Sequence, residues 1–154
     1  MNSNQVTFRE ATIQDLDRIV YILSDDVLGQ TRELYIHPLP ESYTNAFQAI
    51  HSDPNNELIV ACYGEEIVGM QQITFTTYMS HQGGCRATIE SVRVASSERG
   101  KGIGSLLIQW AIQRAKERGC RLVQLTTDKK RPKALHFYEK LGFKASHEGL
   151  KLHL

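Results

Sequence analysis

The sequence predicts an α/β fold built on one mixed sheet, and three observations carry that expectation. Three β-type runs follow one another between residues 58 and 94, an order that favours antiparallel neighbours. A strand, helix, strand succession then runs from residue 86 to 126, and such a crossover joins parallel strands. The chain has 154 residues, 41% hydrophobic and 23% charged, which suits one domain over residues 1–154 with a single core.

Taken in order, Val6 to Glu10 is a short β-type run. Thr12 and Asp15 make a capping-box pair ahead of Ile13, Leu16, Ile19, Val20 and Leu23 at helical spacing. A polar stretch around Gly29 and the His-Pro-Leu-Pro segment at 37–40 break this pattern. Tyr43, Ala46, Phe47 and Ile50 then mark a second, shorter helix, ended by Ser-Asp-Pro-Asn-Asn at 52–56. Residues 58–63 and 67–75 read as a hairpin across Gly-Glu-Glu. After a loop with Gly83 and Gly84, residues 86–94 alternate two faces: Ala87, Ile89, Ser91 and Arg93 on one, Thr88, Glu90, Val92 and Val94 on the other.

From Ile103 the period becomes helical, with Leu106, Leu107, Trp110, Ala111 and Ala115 on one side and Gly119 at the C-terminal cap. Residues 122–126 form a strand. Pro132 suits the first turn of a helix over 133–141 that Gly142 stops, and Leu150, Leu152 and Leu154 alternate as a closing strand.

Eighteen Lys and Arg against seventeen Asp and Glu leave a formal charge of +1, so no general basic field marks the chain for nucleic acid or a membrane surface. The Asp-Lys-Lys-Arg run at 128–131 is short and has no interleaved aromatics, as in a solvated loop. No apolar run reaches the ~18 residues of a membrane span, and the start lacks the basic-then-apolar order of a signal peptide. The expectation is a cytoplasmic protein, with a homodimer left open. Cys62, Cys85 and Cys120 are odd in number and widely spaced, and the six histidines lack metal-ligand spacing, so reduced thiols and no metal are expected. Cys85, in a loop, is the candidate for a reactive thiol.

The most informative stretch is 98–105, between a strand and a helix. Gly100, Gly102 and Gly104 keep side chains away from the backbone, and the first N–H groups of the helix point at whatever lies there. Phosphate or pyrophosphate fits such a turn. Arg99 and Lys101 add charge. The dinucleotide fingerprint fails, because Ser105 or Leu107 stands where its last glycine belongs, and no Gly-Lys is followed by Ser or Thr as a Walker A loop requires. A tight strand-to-helix turn with no ligand is the plainer alternative.

Arg99, Gly102 and Gly104 match an acyl-CoA signature of Arg or Gln, two residues, Gly, one residue, Gly or Ala. Ala134, Phe137, Tyr138, Lys140, Gly142 and Phe143 match a second stretch at the right distance. On these residues the chain resembles the GNAT family of N-acetyltransferases. The resemblance implies a central mixed sheet with a splayed parallel strand pair flanked by helices, and direct transfer of acetyl from acetyl-CoA to an amine of a small molecule or peptide. It implies the coenzyme A pyrophosphate at Arg99, Gly100, Lys101, Gly102, Ile103, Gly104 and Ser105. The backbone of Val92, Arg93 and Val94 would pair with the pantetheine arm like an added strand. Arg131 stands where the family often has Asn and is assigned to the same cofactor.

Tyr138 is implied as proton donor to the departing sulfur. Glu90, read as sharing a face with Val92 and Val94, is the candidate general base. Segments 25–40 and 76–85 are expected to shape the acceptor pocket. The competing function is an acyl-CoA-binding or nucleotide-binding regulatory domain without catalysis.

Overall fold

The computed structural model describes residues 5–154; residues 1–4, part of the start expected to lack a leader, lie outside them. Its centre is a five-stranded sheet in the order β1 (Val6–Glu10), β2 (Asn56–Tyr63), β3 (Glu66–Thr77), β4 (Cys85–Val94), β5 (Leu122–Leu125). The first four strands are antiparallel neighbours and β4 pairs β5 in parallel, the mixed sheet that the element order implies. Gly64, at φ 60°, makes the turn between β2 and β3.

On one face lie α1 (Leu16–Ser24) and α3 (Glu41–Ser52), where Ile19, Val20, Ile22 and Phe47 bury against Val60, Cys62 and Met70. The other face is covered by α5 (Ile103–Glu117), whose Ile108 and Ala111 meet Ile59, Ile73, Ala87 and Ile89. Gly69 sets the closeness of that contact. A Cβ there would stand 3.1 Å from the Arg93 carbonyl oxygen and 3.2 Å from Leu107 Cδ1. Leu107 itself is fully buried, so truncation to Ala would cost about 2–5 kcal/mol. Arg114 of α5 reaches Glu57 of β2 at 2.6 Å and ties helix to sheet.

Four features depart from the sequence reading. Between α1 and α3 stands an additional short helix, α2 (Val27–Arg32), capped by the Asp26 side chain, which accepts from the Gly29 N–H. The segment before β4 holds a single irregular turn, α4 (Ser80–Gly83), with His81 and Gln82 left-handed. Cys85 opens β4 instead of lying in a loop, and its sulfur is 3.1 Å from that of Cys120. The closing strand is not formed. Residues 144–154 carry no regular structure, and Leu150 and Leu152 are 92% and 87% exposed. Alternation of leucines satisfies the side-chain period of a strand, but a strand exists only where a neighbour accepts its backbone hydrogen bonds.

The most consequential correction lies within β4. Met70 pairs Arg93 and Gln72 pairs Glu90, so the register skips Gln71, and Ser91 takes φ 56°. This is a β-bulge, and it shifts the alternation by one residue. Val92 and Val94 therefore turn toward Ala61, Val68, Ile103 and Leu107 on the α5 face. Glu90 and Arg93 share the opposite face, contrary to the fixed two-residue period.

Candidate active site

Parallel pairing of β4 with β5 ends at Ile89 and Leu125, whereas β4 continues to Val94. From Glu90 onward β4 has lost its parallel neighbour, which opens a cleft beside its backbone, where the Val92 and Val94 carbonyls accept from Arg93 Nη1 at 2.9 Å and Arg99 Nε at 3.2 Å. Val92, Arg93 and Val94 line that side of the cleft.

The cleft leads to the N-terminus of α5. Gly100 and Gly102 sit at φ 79° and 85°, and around each the space where a Cβ would stand is empty within 4 Å. Their glycines answer to backbone conformation and leave room for a ligand. Gly102 is the N-cap and brings no side chain to the helix end, and the first intrahelical bond runs from the Leu106 N–H to the Gly102 carbonyl. The N–H groups of Ile103, Gly104 and Ser105 are left to an external acceptor, with the positive end of the helix behind them. Together with the free β4 edge, this donor set fits a pyrophosphate followed by an extended amide-bearing arm.

Two charged residues of the turn have partners within the chain. Arg99 donates from Nε to the Val94 carbonyl at 3.2 Å and from Nη2 to the Asp25 carbonyl at 2.6 Å, so its guanidinium fastens the end of β4 to the α1–α2 junction. Lys101 is paired with Glu98 at 2.9 Å.

Tyr138 lies on α6 (Pro132–Lys140), whose Pro132 occupies the first turn. Its ring is held edge-on by Phe137 and Phe143, with centroids 5.0 and 6.0 Å away. Burial lifts the phenol above its ordinary pKa of 10.0, against the opposing pull of Arg93 and Arg131. The group thus keeps its proton through the neutral range. Gly104 touches Phe137, which puts the glycine turn and α6 side by side.

Glu90 is exposed at the bulge, on the face it shares with Arg93. Arg131, expected at the cofactor, binds Asp26 at 2.5 Å and stands beside Arg93. Asp26 and Arg32 are missing from the sequence reading. Asp26 three residues ahead of Gly29, before Val27 and Leu28, carries the spacing of a helix cap, but its arginine neighbours come from distant parts of the chain.

Cys62 and Cys120 are poorly placed for nucleophilic work. Burial raises the pKa of Cys62, and burial with the neighbouring Cys85 pushes Cys120 up to about 11. Among the described residues no cluster of His, Cys, Asp and Glu is arranged to hold a metal ion.

The chain matches the model of the acetyltransferase (GNAT) family over residues 22–143. It is 32% identical over 139 residues to an aminoalkylphosphonate N-acetyltransferase of Salmonella typhimurium, covering 90% of this chain and 85% of that protein. A crystal structure described as a transcriptional regulator from Bacillus halodurans C-125 is 67% identical, with a TM-score of 0.95 over 97% of this chain and 99% of the other. A structure from Clostridium acetobutylicum, described as a predicted acetyltransferase with acetyl-CoA, shares the fold at 22% identity, with a TM-score of 0.73 over 96% of both chains.

Proposed function

The chain belongs to the acetyltransferase (GNAT) family, and from that premise we propose that it moves an acetyl group from acetyl-CoA directly to the amine of a small molecule. The observation that carries this reading is the free β4 edge running from Glu90 to the open helix end at Ile103–Ser105, with Tyr138 on the neighbouring α6.

Acetyl-CoA supplies the activated thioester. The amides of Ile103, Gly104 and Ser105, together with Gly100 and Gly102, hold its pyrophosphate. Arg99 shapes this site by fixing the end of β4. The backbone of Val92, Arg93 and Val94 receives the extended arm as an added strand, and an N–H of the same edge polarises the thioester carbonyl. Glu90 takes the proton that the attacking amine gives up, directly or through water. Tyr138 gives its proton to the departing thiolate and recovers one from solvent. The net change is an amide and a free thiol from an amine and a thioester, with no covalent enzyme intermediate.

The aminoalkylphosphonate N-acetyltransferase likeness favours a small amine over a peptide as acceptor. The description of the Bacillus halodurans relative as a transcriptional regulator brings in the competing reading, an acyl-CoA-responsive domain without turnover. Thiol release from acetyl-CoA, followed across amines, amino acids, polyamines and peptides, separates the two. Transfer predicts acceptor-dependent thiol release. Binding of acetyl-CoA with no release for any amine supports the regulatory role.

A further inference from the structure

Arg93 and Arg131 converge on a single carboxylate. Arg131 Nη1 lies 2.5 Å from Asp26 Oδ2, and Arg93 Nε is 3.6 Å from the same oxygen. The other Asp26 oxygen caps α2 by accepting the Gly29 N–H. Asp26 hydrogen-bonds Arg131 and only ion-pairs with Arg93, whose Nη1 donates to the Val92 carbonyl at 2.9 Å, and Arg93 Nε and Arg131 Nη2 are buried without a hydrogen-bond partner. Arg32, whose charge also reaches Arg93, is committed to Asp128. Three guanidiniums thus face two carboxylates, and the excess positive charge is largely shielded from water: the Arg93 and Arg131 side chains are 19% and 26% exposed.

Buried N–H groups of a cation left unpaired are costly, and a guanidinium fork is matched by the paired oxygens of a phosphate, phosphonate or carboxylate. Both positive charges are felt by the phenol of Tyr138, the proposed proton donor. The bulge at Ser91 also bears on the acceptor side. It places Arg93 on the face of Glu90, the proposed base, and away from the α5 face. An acceptor whose amine meets Glu90 would lie on the same face as the Arg93 side chain.

We propose that Arg93 and Arg131 bind an anionic group carried by the amine acceptor, so that the substrates are small amines bearing phosphate, phosphonate or carboxylate. This rests on the acetyl-transfer reading above. It moves Arg131 from the cofactor to the acceptor, and makes Arg93 a residue with two duties: backbone to the cofactor arm, side chain to the acceptor.

The test compares O-phosphoethanolamine and β-alanine with ethanolamine, which has the amine but no anion. The parent protein should favour the anionic amines in kcat/KM by roughly 10- to 100-fold, the effect of charge-assisted hydrogen bonds. Arg131→Gln should erase most of that preference while the KM for acetyl-CoA stays within about twofold, and Arg131→Lys should restore part of it. Calorimetry with methylphosphonate on protein saturated with coenzyme A supplies a readout free of turnover: saturable binding that Arg131→Gln removes. Equal use of ethanolamine would overturn the proposal. So would a raised KM for acetyl-CoA in Arg131→Gln with methylphosphonate displaced by coenzyme A, because the pair would then belong to the cofactor phosphates. Methylphosphonate binding that depends on Arg131, with no amine acetylated, would support the anion site and sink the transferase reading instead.

Discussion

A Cβ built on Gly104 would stand 3.3 Å from Phe137 Cζ, so the start of α5 meets the residue beside Tyr138 at a separation that suits a hydrogen better than a methyl group. The donor end of α5 and the Tyr138 phenol are thereby joined through one ring. Phosphate binding and proton donation, assigned to different stretches of sequence, share this contact.

Tyr138→Phe removes the hydroxyl and keeps the ring packed between Phe137 and Phe143. The rate of thiol release should fall by about 100-fold, the usual weight of a general acid, with little change in acetyl-CoA affinity. A variant that turns over like the parent would make Tyr138 a packing residue.

Ser105 occupies the first turn of α5, where a negative charge favours the helix but repels a bound phosphate. Ser105→Asp should hold or slightly raise the melting temperature and, measured by calorimetry, weaken acetyl-CoA binding. Stability and affinity moving in opposite directions identifies the helix end as the anion site. Unchanged affinity would exclude it.

The hydrogen bond from Arg9, with support from the Thr12 backbone, holds the Asp15 carboxyl below its ordinary value of 3.8. A carboxyl whose pKa is lower in the folded state stabilises above the unfolded pKa, and the contribution disappears as the pH falls through the folded one. Asp15→Asn should therefore cost about 1 kcal/mol at pH 7, the weight of a cap and a partly exposed pair, and progressively less below about pH 4. Denaturant unfolding at several pH values reads this directly; a cost that does not shrink in acid contradicts it.

With Cys62 raised by burial and Cys120 at about 11, alkylation by iodoacetamide at pH 8 should be slow at both. Cys85→Ser should retain activity, and initial-rate kinetics should be sequential. Ping-pong kinetics with an acetyl adduct on Cys85 would move the chemistry to that thiol.

The glycine turn is legible in the sequence because its information is local: Gly100 and Gly102 need positive φ, Ile103 begins a helical period, and both facts lie within a few residues. The mixed sheet is legible for the same reason, since element order alone implies its pairing. The bulge at Ser91 is not. An alternation read along one strand has no sign of the register on its neighbour, so Glu90 is assigned to the face of Val92 when it belongs with Arg93. Asp26, Arg93 and Arg131 meet only through the fold, with more than sixty residues between the first two. Arg99 carries the right spacing for a phosphate ligand, yet two carbonyl oxygens occupy its guanidinium. Composition of a motif does not reveal which partners are nearer.

We place acetyl-CoA along the open β4 edge, with its phosphates at the α5 N-terminus. Residue-resolved amide exchange with and without acetyl-CoA tests this placement most directly. Protection is expected at the Ile103, Gly104 and Ser105 amides together with those of Val92–Val94, reduced at the helix end in Ser105→Asp. Protection confined to other parts of the chain, with these amides unchanged at saturating acetyl-CoA, would contradict it.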